Sequence, residues 1–139
     1  MAEAMLAGFY YTQKSDEAGS RSATFVLSGA AEMRVGEGGK RELVSAGDTS
    51  AEGLRRKLEC VIEGLTGHLR ELGAGWDLAT TVNLYTVHEV HHTFAPMLLP
   101  ALGAAARLGI NWYYARPPVT GLEVEIDAHA VRREVILSR

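Results

Sequence analysis

From Leu122 to Ala130 the chain alternates without a break. Leu122, Val124, Ile126, Ala128 and Ala130 are apolar, and Glu123, Glu125, Asp127 and His129 between them are ionisable. A repeat of two is the strand repeat, in which successive side chains point to opposite faces. Strict alternation therefore specifies a strand packed on one face and open on the other, with a register that cannot slip by one residue. A chain carrying it must build a sheet covered on one side. Either the ionisable row is a solvated sheet face, or one of its carboxylates does chemistry. Glu125 is the candidate.

The cover is legible upstream. Leu54, Leu58, Val61, Ile62, Leu65, Leu69 and Leu72 recur at spacings of three and four, the stripe of an amphipathic helix over about residues 50–72. Thr49 with Glu52 reads as its capping box, and Gly73 and Gly75 stop it. A second helix is predicted over residues 88–109, with Phe94, Met97, Leu98, Ala101, Leu102 and Ala105 on its apolar side. Pro96 suits a first turn. Pro100 does not, and predicts a late start or a kink. Residues 23–29 form a strand ending at a Ser-Gly turn, residues 35–40 a loop between two short strands, and residues 78–87 another strand. Residues 109–131 read as two strands joined by a turn at Pro117, Pro118 and Gly121. In the first of these, Ile110, Trp112, Tyr114 and Arg116 share one face, and Asn111, Tyr113 and Ala115 share the other.

This order predicts an α+β fold, a mixed sheet with two helices on one face, in a single domain spanning residues 1–139. The uncovered sheet face predicts self-association. A net charge of −3 gives no electrostatic footprint for nucleic acid, and no apolar run reaches the roughly 20 residues of a membrane span. Neither partner is expected. A lone cysteine, Cys60, excludes an internal disulfide and reads as a core thiol. With an N-terminus that lacks a secretory pattern, it predicts a cytoplasmic home. His88, His91, His92 and Glu89 have helical spacing, but no Cys or distant His pair completes a ligand set, so no metal is expected.

Three segments together resemble the YjgF/RidA family: "GLEVEIDAHAV", "FVLSG" and "TTVNLYTV". The resemblance implies a chorismate-mutase-like fold and a homotrimer with clefts between subunits. It also implies hydrolysis of reactive enamines and imines, such as 2-aminoacrylate, to ketones and ammonia without a cofactor. It casts Glu125 as the residue that positions or activates water, Ser28 and Gly29 as a backbone binding site, and Tyr10, in "GFY", as the early tyrosine. The family's carboxylate-binding arginine falls on Ile110, and Trp112 stands where many members have Cys or Thr. Arg116 lies six residues further along, roughly 20 Å at strand rise, too far to replace that arginine. With Tyr114 it would line a displaced or larger site. His88, at the end of a strand, is a candidate polar or acid/base group. These departures predict a substrate larger or less acidic than 2-aminoacrylate, which is hydrolysed or tautomerised. The alternative is a ligand-binding trimer that has lost the reaction.

Overall fold

The computed structural model describes residues 24–131 and 133–135. Tyr10 lies outside the described residues. Eight regular elements follow in order: β1 (Phe25–Ala31), β2 (Met33–Val35), β3 (Arg41–Leu43), α1 (Ala51–Glu71), β4 (Thr81–Tyr85), α2 (His91–Leu102), β5 (Asn111–Tyr113) and β6 (Glu125–Ala130). Strands β1, β6, β4 and β5 form one sheet in that spatial order, and β2 pairs with β3 in a small ribbon.

β6 is antiparallel to both of its neighbours, β1 and β4, whereas β5 is parallel to β4. The two strands at the C-terminal end therefore do not form a hairpin. β4 lies between them, and residues 114–124 cross its end to reach the far side. The hairpin reading failed because Pro117, Pro118 and Gly121 mark a change of direction without fixing which strand comes next. β1 also runs past the predicted Ser-Gly stop, because a bulge lets it continue. Leu27 pairs with Ala128 and Ala30 with Ile126, so Ser28 and Gly29 together oppose Asp127.

Both helices cover one face. Leu54, Leu58, Val61, Leu65 and Leu69 of α1 and Phe94, Leu98 and Leu102 of α2 pack on Phe25, Leu27, Val82, Leu84, Val124, Ile126, Ala128 and Ala130. This is the expected α+β arrangement. The cap of α1 differs in detail. Ser50, not Thr49, holds the N-terminus, its hydroxyl accepting from the Gly53 amide at 3.1 Å. Asp48 in turn accepts from the Ser50 amide at 2.9 Å. α2 begins at His91, three residues later than predicted, so both Pro96 and Pro100 lie inside it. Phe94, Leu98 and Leu102, one turn apart, hold this short helix on the sheet where its own hydrogen bonds are interrupted. Among the described residues no helix is long and apolar enough to cross a membrane.

Candidate active site

Cross-strand register assembles the open face. Tyr85 pairs with Glu125 and with Tyr113, Asn83 with Asp127 and Asn111, and Thr81 with His129. Each row is one layer of side chains on the face that the helices leave bare. Ser28, Gly29, Asn83, Tyr85, Asp127 and His129, with Val26 and Leu27, line an open recess of about 330 Å³ there.

Two hydrogen-bond systems divide this face. The first is neutral but for one carboxylate. The Tyr85 hydroxyl donates to Asp127 Oδ2 at 2.9 Å, and the Asn83 amide to Asp127 Oδ1 at 2.7 Å. Asn111 donates to Asn83 at 2.9 Å, and the Tyr85 and Tyr113 rings stack with centroids 4.9 Å apart. Burial, together with the bond to Asp127, pushes the Tyr85 phenol up to about 12. Tyr85 therefore stays protonated and serves as a fixed donor. Glu125 sits beside this chain. A Cβ built on Gly29 would fall inside the Glu125 carboxylate, so the bulge lets the acid lie flat on the backbone of β1. Burial, and to a lesser degree the neighbouring charge of Asp127, raises the Glu125 pKa above its ordinary 4.5. Among the described residues no cation pairs with it.

The second system lies one alternation back along the chain. Glu123 Oε2 meets His88 Nε2 at 2.6 Å and Arg116 Nη1 at 2.5 Å. The hydrogen bond from His88, reinforced by the charge of Arg116, holds the Glu123 carboxyl below the ordinary glutamate range. Behind it is a fully buried ion pair, with Lys57 Nζ 3.3 Å from Glu32 Oε1. Lys57 also donates to the Val44 carbonyl at 3.2 Å. Glu32 accepts the Glu123 amide at 2.6 Å and the Val124 amide at 3.1 Å. One buried carboxylate thus fixes the backbone at the entrance to β6, directly ahead of Glu125.

The structure brings Glu125, Ser28 and Gly29 together, and it brings His88 and Arg116 together on Glu123. Other candidates lie elsewhere. Trp112 pairs in register with Leu84, so it belongs to the helix-covered face, opposite Glu125. Its indole donates to the Thr86 carbonyl at 2.9 Å and packs on the His91 ring, centroids 4.1 Å apart. Ile110 packs against the core in the same way. The aromatic that β5 adds to the layer of Glu125 and Tyr85 is Tyr113, and the polar residue that opens β5 on that face is Asn111. Tyr114 is 79% exposed and lines a separate surface depression with Val87, Glu89 and Trp112. The parity of "TVNLY" could have flagged Asn83 and Tyr85. Nothing in the sequence marks Glu32 or Lys57 as partners across 25 residues.

Comparison with known proteins gives a consistent result. The model of a family described as 2-aminomuconate deaminase CnbZ matches residues 1–135. A 2-amino-5-chloromuconate deaminase of Comamonas testosteroni is 41% identical over 130 residues, covering 93% of this chain and 51% of that protein. The chain thus spans about half the length of that relative. A crystal structure from Thermotoga maritima, provisionally described as an endoribonuclease, is 22% identical over 80% of each chain with a TM-score of 0.54, and it shares the fold. A YjgF-family member from Mycobacterium tuberculosis is similar at 14% identity, covering 76% of this chain and 75% of its own, with a TM-score of 0.41. The sheet with two helices on one face, a chorismate-mutase-like fold, is shared with the Thermotoga protein. The chain belongs to the family described as 2-aminomuconate deaminase CnbZ.

Proposed function

We propose that this chain forms the site of a deaminase acting on a six-carbon unsaturated amino diacid of the 2-aminomuconate type. The family match and the named Comamonas relative support the substrate class. Of the two alternatives that the sequence raised, a larger or a less acidic substrate, this reading takes the larger. Glu125 is the base. The conjugated amine first tautomerises to the imine, an N–H proton moving to a chain carbon. Glu125 then takes a proton from water as the oxygen adds to the imine carbon at C2 and delivers it to nitrogen. The hydroxyl proton of the resulting carbinolamine follows by way of Glu125, the C–N bond breaks, ammonia leaves, and the carbonyl forms. One water is consumed for each ammonia released. Tyr85, its hydroxyl proton held by Asp127, offers its oxygen as an acceptor beside the reacting carbon. The Ser28–Gly29 bulge offers backbone to the C1 carboxylate. The open sheet face is read as closed by two further copies in a homotrimer, and no cofactor is invoked.

The observation that carries the reading is the setting of Glu125. It is a partly desolvated carboxylate with a raised pKa and no cation partner among the described residues, which is how a base is kept near its working range. The test is turnover of freshly generated 2-aminomuconate, followed by ammonium release and loss of the conjugated absorbance. The expected result is acceleration over buffer that falls at least about 100-fold in Glu125→Gln. No acceleration by the native chain would favour the alternative of a binding protein without the reaction, which the core position of Ile110 supports.

A further inference from the structure

We infer that the corner formed by His88, Glu123 and Arg116 is the subsite for the distal carboxylate of a diacid whose reacting carbon lies at Glu125. The inference rests on the diacid reading above and adds residues that hold the second acid group.

Three observations carry it. The first is spacing. Glu123 lies two residues ahead of Glu125, just outside β6, and Leu122, Val124 and Ile126 that alternate with the two glutamates are buried. Two residues of chain advance at most about 7 Å. The far acid carbon of a muconate skeleton lies four C–C bonds from C2, roughly 5 Å at about 1.5 Å per bond with zig-zag geometry. A hydrogen bond of about 2.9 Å then reaches the Arg116 guanidinium that Glu123 holds.

The second is charge. From Glu125, the strand leads one way to Asp127, whose two oxygens are already taken by Asn83 and Tyr85. A second carboxylate placed there meets a like charge. The other way leads to Arg116 and His88. The guanidinium gives one nitrogen to Glu123 and is 58% exposed, so donors of its planar fork still face solvent. Of the two residues that flank Glu125 in the row, Glu123 holds cations and Asp127 does not, and that sets the direction in which a diacid lies.

The third is rigidity. Glu123 is 12% exposed, and its amide is tied to the fully buried Glu32–Lys57 pair. The carboxylate that orients Arg116 and His88 therefore starts from a fixed backbone. Glu123 is a positioning residue here, and Arg116 is the group that meets the ligand.

The test uses two unreactive probes, muconate and its monoacid counterpart hexa-2,4-dienoate, titrated into the intact protein by calorimetry. Native protein is expected to prefer the diacid by about 10- to 100-fold, the range of one charge-assisted contact. Arg116→Ala is expected to bring that preference to within about threefold, and Arg116→Lys to restore part of it, because a lysine supplies charge without the fork. Equal affinity of native protein for the two probes would overturn the subsite, and so would a preference that survives Arg116→Ala. The outcome is separable from that of the deaminase reading. Absent turnover with an Arg116-dependent diacid preference defeats the reaction and leaves the subsite standing. Turnover without that preference does the reverse.

Discussion

Glu123, at the entrance to β6, and Glu125, its first residue, are the same residue type two positions apart, with opposite surroundings. Glu123 is gripped by His88 and Arg116, and its pKa is lowered. Glu125 lies on bare backbone at Gly29 with Asp127 for company, and its pKa is raised. Sequence alternation makes the two equivalent; tertiary neighbours separate them. A pair of carboxylates pushed apart in this way divides the work, one kept as a fixed charge that organises cations and the other left able to hold and release a proton.

The pair can be broken from behind. Lys57→Met would leave Glu32 buried without its cation, at a cost of about 3–5 kcal/mol. Thermal unfolding should shift down by more than about 10 °C. Because Glu32 holds the Glu123 amide, ordering at the Glu123 end should suffer first, which hydrogen exchange at Glu123 and Val124 would report.

The next largest effect separates function from stability. Glu125→Gln should lose about 100-fold in turnover, about 2.7 kcal/mol of barrier, yet be more stable than the native chain at neutral pH. The sign follows from the raised native pKa. Folding favours the protonated acid, so a penalty on the anion sets in as pH rises above the unfolded value of 4.5 and is complete above the native value. Gln removes that penalty, and the gain should vanish in acid. Denaturant midpoints across pH would measure it.

Gly29→Ala is a smaller change aimed at Glu125 alone. The added methyl displaces the carboxylate, and turnover should fall about tenfold, about 1.4 kcal/mol. Steady-state kinetics at fixed pH would show it, with Ser28 left as it is.

The smallest effect sharpens the Glu123 side. Glu123→Gln should cost about 1 kcal/mol at neutral pH. A lowered native pKa means that this stabilisation is full above 4.5 and is lost as pH falls through the native value. The deficit of the variant should therefore shrink in acid, the reverse of the trend for Glu125→Gln.

Local pattern was enough for α1, β6 and the α+β arrangement, because the stripe of leucines and the strict alternation each admit one reading. It brought Glu125, Ser28 and Gly29 forward once a resemblance gave the alternation a meaning, and the structure sets Glu125 against Gly29. It was not enough for the face on which Trp112 and Ile110 lie. Their side is set by pairing with β4, 28 residues upstream, and not by their own strand. The order β6-β4-β5 was hidden for a similar reason, since a turn states where a strand ends and not which neighbour it joins. Glu32 and Lys57 were invisible, because a buried ion pair has no local period.

The most direct measurement is a site-resolved titration of the two side-chain carboxyl carbons by NMR, in the native chain and in Arg116→Ala. The account predicts Glu125 titrating above 4.5 in both proteins, and Glu123 titrating below 4.5 and moving upward when Arg116 is removed. Coincident titrations, or Glu123 titrating above Glu125, would contradict it.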